Sequence, residues 1–121
     1  MTTEALGFIN KLLKNASINY EFMEWTGKVN YPYFVGEYQE QESLNEDGMQ
    51  ESLFILNGFT RGKWLDLERA KNTIEKVVNT TSILSNGNGI AIMYSHSLVI
   101  PTGEDELKRI QINLNIKEWG L

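Results

Sequence analysis

Residues with catalytic potential are few in this chain, and their spacing argues against an active site. His96 is the single histidine and no cysteine is present, so the nitrogen and sulfur ligands of an ordinary zinc site are missing. Ser95 and Ser97 flank His96, but neighbouring side chains of an extended segment point to opposite faces, so adjacency does not make a nucleophile and base pair. We interpret His96 as a residue of a polar turn.

Two glycine-rich segments share only composition with phosphate-binding loops. Residues 86–89 (NGNG) lack the Gly-Lys-Ser/Thr ending of a P-loop and do not open a helix, which favours a flexible turn. Residues 58–63 (GFTRGK) do run from a predicted strand into a predicted helix, and a helix N-terminus attracts anions. Because the P-loop spacing is missing here too, we interpret this segment as a positive helix start that holds an acidic group of another subunit.

The carboxylates do not form a metal-binding pattern. Glu104, Asp105 and Glu106 are consecutive in sequence, which is more typical of a solvated turn than of a metal site. The sequence shows no nucleophile with a base, no metal cluster and no cofactor loop. It therefore predicts that the protein is not an enzyme and has no catalytic residues, metal or cofactor.

The distribution of charge is the most unusual property of the chain. No Lys or Arg lies between Lys28 and Arg61, while six acidic residues do, so this segment has a formal charge of −6 and the remainder of the −5 chain sums to +1. A polar turn at residues 44–48 (LNEDG) divides the segment into two strand-like halves. We predict an acidic hairpin that repels nucleic acid or meets a basic partner; its candidate residues are Glu40, Glu42, Glu46 and Asp47.

Size and composition fit one globular domain over residues 1–121. Of the 121 residues, 41% are hydrophobic and 22% are charged. The acidic N-terminus lacks the basic and apolar regions of a signal peptide, and no apolar run approaches the roughly 20 residues of a membrane span. We expect a soluble cytosolic protein without membrane contact. A pI of about 4.9 disfavours a general nucleic-acid binder.

Hydrophobic periodicity predicts two helices. Residues 4–15 and 64–79 both show apolar residues at spacings of three to four, with acidic residues near the start and lysines near the end. We expect Thr3 to cap the first helix. The apolar stripes, which we expect to be buried, are Ala5, Phe8, Ile9, Leu12, Leu13 and Ala16 in the first helix, and Trp64, Leu67, Ala70, Ile74, Val77 and Val78 in the second.

Alternation of polar and apolar residues predicts strands over 18–26, 33–40, 49–60, 90–94, 98–100 and the end of the chain. The last of these is the clearest: four apolar residues from Ile110 to Ile116 face one way, and Gln111, Asn113, Asn115 and Lys117 face the other. The amide face is either an ordinary solvated face or one that hydrogen-bonds a neighbouring subunit. Trp119 either folds back on the sheet or anchors an interface.

These elements predict an α+β fold. Two helices of about four turns are enough to cover one face of a sheet. We therefore expect a two-layer domain with a mostly antiparallel sheet of four or more strands and both helices on one face. The order of the strands, and whether all of them are antiparallel, stays open.

Several segments resemble the small tail terminator, or tail completion, proteins of long-tailed bacteriophages and prophages of Gram-positive hosts. They are residues 33–38 (YFVGEY), 54–62 (FILNGFTRG), 64–68 (WLDLE), 100–103 (IPTG) and 107–114 (LKRIQINL). Together they span most of the chain. The resemblance is one of pattern and order, since no segment is a catalytic signature.

The resemblance implies a structural protein that assembles into a hexameric ring. Such a ring caps the tail tube, ends tube growth and meets the head–tail connector, and DNA passes through its opening without specific binding. It implies assembly in the cytoplasm of the bacterial host, followed by residence in the virion tail. In that setting the acidic hairpin either lines a channel or docks on a basic rim.

A ring requires an interface in which one patch of a subunit meets a different patch of the next. We predict that Arg61, Lys63 and Arg69 face acidic residues of a neighbouring subunit or of the tube; the alternative is that they are ordinary solvated charges. Two other functions stay open. One is a stopper protein on the connector side, and the other is a monomeric acidic adaptor or inhibitor that binds a basic partner.

Overall fold

The computed structural model describes residues 1–41 and 48–120, which form two helices and six strands. It confirms the predicted α+β class. The elements in chain order are α1 (Thr3–Asn15), β1 (Tyr20–Phe22), β2 (Tyr33–Gln41), β3 (Gln50–Thr60), α2 (Trp64–Val78), β4 (Thr80–Ile83), β5 (Gly89–Ile100) and β6 (Lys108–Trp119). No helix in the described part of the chain is long and apolar enough to cross a membrane.

All six strands belong to one curled sheet with the order β1-β2-β3-β6-β5-β4. Four of the five neighbouring pairs are antiparallel, and β1 runs parallel to β2. The sheet is therefore mixed, which the sequence left open. Its centre is the long antiparallel block of β2, β3, β6 and β5, while the outermost strands, β1 and β4, are only three and four residues long.

Both helices cover the same face of this sheet, as predicted. Ala5, Ile9 and Leu13 of α1 join Leu67, Ile74 and Val78 of α2 in one core cluster with the buried side chains of the strands. From β6 the cluster receives Ile110, Ile112, Leu114 and Ile116, which confirms the predicted alternation. Below, the helix-covered face is called the inner face, and the opposite one the outer face.

A buried carboxylate ties the start of α1 to the end of β6. Thr2, and not Thr3 as predicted, caps α1: its hydroxyl accepts a hydrogen bond from the amide of Ala5 at 3.1 Å and donates one to Glu118 at 2.7 Å. Asn88 donates a further hydrogen bond to Glu118 at 3.0 Å. Burial alone raises the pKa of Glu118, but the hydrogen bonds from Asn88 and Thr2 outweigh it, and the pKa is lowered.

Four sequence predictions about strands and tryptophans need correction or completion. The predicted turn around His96 is wrong, because β5 continues through it and absorbs the irregularity in a bulge between Tyr94 and His96. The first strand is shorter than predicted. Trp64 is wrong as a core residue, since 45% of it is exposed. Trp119 folds back on the sheet, where its indole covers Gly89 so closely that a Cβ there would lie 2.4 Å from the ring.

Candidate interaction surfaces

The first predicted site residue, Arg61, lies just after β3 and already has partners within its own chain. Its guanidinium Nη2 is 3.0 Å from the carboxylate of Glu104, and its Nε donates to the hydroxyl of Tyr31 at 3.3 Å. These hydrogen bonds, that of Tyr31 first and that of Glu104 second, raise the pKa of Arg61. Both Arg61 and Glu104 are exposed, so water screens the pair and a new partner can compete for Arg61.

Lys63 and Arg69 are exposed on the N-terminal half of α2. Lys63 occupies the residue before the helix, and no ion pair joins it to another residue of the described ranges. Arg69 lies 4.0 Å from Asp66, at the limit of an ion pair, with a largely exposed side chain. The name "cationic end" is used below for Arg61, Lys63 and Arg69 together with Lys108 at the start of β6, where Lys108 pairs with Thr60.

The helix start itself holds an acidic group, but one that belongs to the same chain. The Asp66 carboxylate accepts a hydrogen bond from the backbone amide of Lys63 at 3.4 Å. A Cβ added to Gly62 would meet the same carboxylate at 3.2 Å. A side chain from another subunit would therefore have to share this helix start with Asp66, which the sequence prediction did not anticipate.

Glu40, one of the acidic candidates, is at the other end of the same pair of strands. Glu40 is close to the end of β2 and forms an ion pair with the amino group of Met1; Glu42, Glu46 and Asp47 lie outside the described residues. Since β2 is nine residues long, its two ends are separated by about 26 Å. The structure thus places Glu40 and the cationic end at opposite ends of the β2–β3 pair and does not bring them together.

The outer face of the sheet carries a network of amides. Gln111 donates to the side-chain oxygen of Asn113 at 3.1 Å, and the amide nitrogen of Asn113 lies 3.3 Å from Nε2 of His96. Arg109 donates to the side chain of Asn57 at 2.8 Å. Asn113 is only 2% exposed, so the alternative of an ordinary solvated face does not hold at this position. The middle of the outer face of this curled sheet is buried although no further layer from the described residues covers it.

An aromatic cluster lies where this outer face meets the cationic end. Tyr33 of β2 is the centre: its ring centroid is 5.0 Å from Trp25, 5.7 Å from Tyr31 and 5.2 Å from Phe59. The guanidinium of Arg109 lies 5.6 Å above the ring of Phe59. Burial first, and the proximity of Tyr31 second, raise the pKa of Tyr33 against an opposing effect of Arg61. Sequence reasoning missed this cluster, because its members come from separate elements.

Exposed apolar residues gather at one corner of the molecule, where β5 ends and α2 begins. Trp64, Leu65, Leu98 and Val99 are between 43% and 59% exposed. Trp64 and Val99 also line a cavity of about 540 Å³ together with the segment that joins β5 to β6. Exposed tryptophans that line cavities are typical anchors of protein interfaces.

Within the described ranges, no group of three or more His, Asp or Glu residues is arranged to hold a metal ion.

His96 has two polar neighbours among the described residues. Its Nδ1 is 2.9 Å from the hydroxyl of Ser95 and its Nε2 faces Asn113. With no carboxylate beside it to orient the ring, this arrangement lacks the third member that a catalytic triad requires.

Comparison with known proteins finds a likeness of fold among solved structures. No protein-family model matches this sequence, and no curated protein matches it. Among solved structures, a chain from the virion of a native gene transfer agent (GTA) particle shares the fold, with a TM-score of 0.71 over 93% of this chain and 84% of that chain. The sequence identity is 13%, so the likeness establishes a common fold and leaves the role of this chain to be argued from its surfaces.

Proposed function

We propose that this protein is a structural component of a phage or phage-like virion. The observation that carries the proposal is the fold, shared along nearly the whole chain with a protein of the GTA virion. The segments that resemble tail terminators support the same class independently, because that resemblance lies in the sequence and not in the fold. The proposed role is assembly and not catalysis, in keeping with a chain that has one histidine and no cysteine.

Within that class, we infer that the protein closes the tail tube as a ring of identical copies, ends tube growth and forms the tail side of the head–tail joint. The proposed partners are further copies of the chain, the tube protein and the connector. The proposed locations are the cytoplasm of the bacterial host during assembly and then the virion tail. The number of copies, six, comes from the resemblance to tail terminators.

The separation of charges supports such a ring. A cyclic assembly needs two different surfaces on each copy, one for each neighbour. The cationic end and the carboxylates of Glu40 and Glu51 lie at opposite ends of the β2–β3 pair, and their opposite signs make them complementary between copies. Because the carboxylate that pairs with Arg61 in its own chain is exposed, exchanging Glu104 for a neighbour's carboxylate costs little.

The same charges suit a ring through which DNA passes. The chain carries a net charge of −5, and carboxylates facing the opening would repel phosphates and keep DNA from sticking. In the alternative role, the same acidic residues dock on a basic rim of the tube. A variant that neutralises Glu40 would distinguish these two roles. It would slow DNA passage if the carboxylates line the opening, and it would weaken tube capture if they dock on the rim.

Native mass across protein concentrations, with and without purified tail tubes, tests the proposal. We expect closed oligomers, or capture at tube ends visible by electron microscopy. The double variant Arg61→Glu and Lys63→Glu should lose assembly and keep the thermal unfolding of the wild type, whereas Lys11→Glu, which changes an exposed lysine of α1, should assemble normally. A monomer that ignores tubes but binds purified connectors would favour a stopper, and one that binds neither would favour an adaptor.

A further inference from the structure

One edge of the sheet is left half open at β5. β4 pairs only with Gly89–Ile92, and the side chain of Asn79 accepts the amide of Tyr94 at 2.7 Å. Beyond Tyr94, residues Ser95–Ile100 pair with β6 on one side, and no backbone hydrogen bond joins their other side to any described residue. Six residues of edge strand are therefore available for pairing.

This open edge lacks the charged residues and prolines that usually protect a strand edge, and the bulge between Tyr94 and His96 lies only at its start. Natural proteins blunt exposed strand edges with charges, prolines or covering elements, because an open edge pairs with other chains. From Gly89 to Ile100 there is no Asp, Glu, Lys or Arg. Leu98 is 43% exposed and Val99 59% exposed on opposite faces of the strand. An open and uncharged edge of this kind, apolar over its last three residues, indicates that it is paired in the working state of the protein.

The opposite edge of the sheet is also half open, at β2. β1 pairs with Phe34–Gly36 only, so residues Glu37–Gln41 pair with β3 on one side and with no strand of the described part of the chain on the other. This edge differs in character from that of β5, because it carries two carboxylates, Glu37 and Glu40.

The two open edges match in geometry. β2 and β5 run in opposite directions, and their open parts lie at opposite edges and opposite ends of the sheet: Glu37–Gln41 beside the start of β3, Ser95–Ile100 beside the start of β6. In a ring whose strands are tilted to the axis, as in barrels, rotation keeps the general direction of each strand, so β2 of one copy would meet β5 of the next in antiparallel orientation. Closing strands around an axis also requires a stagger between neighbours, and the diagonal placement of the open edges supplies one.

We propose that Glu37–Gln41 of one copy pairs with Ser95–Ile100 of the next, so that the sheet continues from copy to copy. The inference rests on the proposed ring, and it names the contact that holds the ring together. It brings Glu37 and Glu40 towards the cationic end of the neighbour, which gives the contact complementary charges. On the outer face it places Gln39 and Gln41 beside the amide network that includes Asn113.

Because the chain has no cysteine, engineered disulfides can test this pairing directly. Gln39→Cys is combined in turn with His96→Cys, Leu98→Cys or Ile100→Cys, all on the outer face, to sample three registers. Facing cysteines on paired strands come within disulfide range, with Cα atoms about 4.4–6.8 Å apart. We expect one pair to give a ladder of cross-linked oligomers on a non-reducing gel. The matched control, Gln39→Cys with Val99→Cys, puts the two thiols on opposite faces and should not cross-link.

A second variant tests the edge without cysteines. Val99→Lys should raise the protein concentration required for half-maximal assembly by about tenfold or more, since a charge on an edge strand opposes pairing. Ile83→Lys is the control, because Ile83 is an exposed apolar residue of the neighbouring edge strand, β4. Both variants should unfold at the temperature of the wild type.

The outcomes separate this inference from the proposed function. If the wild type closes rings on tubes while no pair cross-links and Val99→Lys assembles normally, the edge pairing is refuted and the ring stands. A ladder that grows without closing supports the edge pairing and refutes the ring. If the wild type stays monomeric with tubes and no pair cross-links, both are refuted. A cross-link from a Leu98→Cys single variant to another virion protein carrying a cysteine, in place of a second copy, also overturns the pairing.

Discussion

Gly58 offers a sharp test of the packing that fixes the central strands. It lies directly opposite Phe34 in the β2–β3 register, and the Phe34 ring covers it so closely that a Cβ would be 2.3 Å from the ring carbon Cε1. Ordinary contact begins at 3.4 Å, so Gly58→Ala requires a movement of about 1 Å. Phe34 is 1% exposed, and its ring cannot move into solvent.

The expected cost of Gly58→Ala follows from these distances. Forcing an extra methyl group into a packed core costs about 1–3 kcal/mol, and the exchange of glycine for alanine in a strand returns about 0.5–1 kcal/mol. We place the net loss near 2 kcal/mol, since the clash is severe. With a urea m-value of about 1–3 kcal/mol/M for a small protein, the midpoint of urea unfolding should fall by about 1 M.

Gly7→Ala is the matched control, because it makes the same chemical change in open space. No atom lies within 4 Å of a Cβ at Gly7, which is exposed within α1, so alanine should stabilise the protein by up to about 1 kcal/mol. Both variants are measured by urea unfolding, followed by circular dichroism and tryptophan fluorescence. A Gly58→Ala midpoint at or above that of the wild type, with an unchanged m-value, would refute the assigned β2–β3 register and the packing of Phe34.

Two further predictions concern the helices and their anchors. The lowered pKa of Glu118 means that its ionised form stabilises the fold at pH values above the pKa of about 4.3 in the unfolded chain, and that this contribution is lost as the pH falls through the lower pKa of the folded state. The stability difference between wild type and Glu118→Gln should therefore shrink from pH 7 to pH 3, as measured by urea unfolding; a constant difference would contradict the assigned hydrogen bonds. Leu67→Ala should cost about 2–5 kcal/mol because Leu67 is fully buried, whereas Trp64→Ala should cost less than half as much in the same assay because Trp64 is 45% exposed; equal losses would show that Trp64 belongs to the core.

The elements with strong periodicity could be predicted from the sequence. In β6 every second residue from Ile110 to Ile116 is apolar, and the strand has neighbours on both sides, so pattern and environment agree. The same holds for α1 and α2, whose stripes face one sheet. The predicted capping residue of α1 was wrong by one position, because the sequence alone does not distinguish Thr2 from Thr3. What selects Thr2 is its contact with Glu118, 116 residues away.

Features that depend on pairing between distant strands could not be predicted. The segment from Ser95 to Ser97 is polar and resembles a turn, but eleven residues of β6 keep it extended, and a bulge absorbs the misfit. Asn113 alternates correctly onto the outer face, yet it is buried because the sheet curls and Gln111 and His96 close over it. Trp64 follows the helical period, but it lies in the first turn of α2, beyond the inner face of the sheet.

The structure alters the interpretation of the charged residues more than that of the other features. In the sequence, Arg61 follows the acidic segment directly and could simply neutralise it. In the fold, β3 carries the chain back across the sheet, so that Arg61 lies about 26 Å from the end of β2 and bonds Glu104 and Tyr31 instead. Opposite charges held apart by a rigid strand pair cannot satisfy each other within one copy. They can pair between copies, and the arrangement of copies that pairs them also brings together the open edges of β2 and β5.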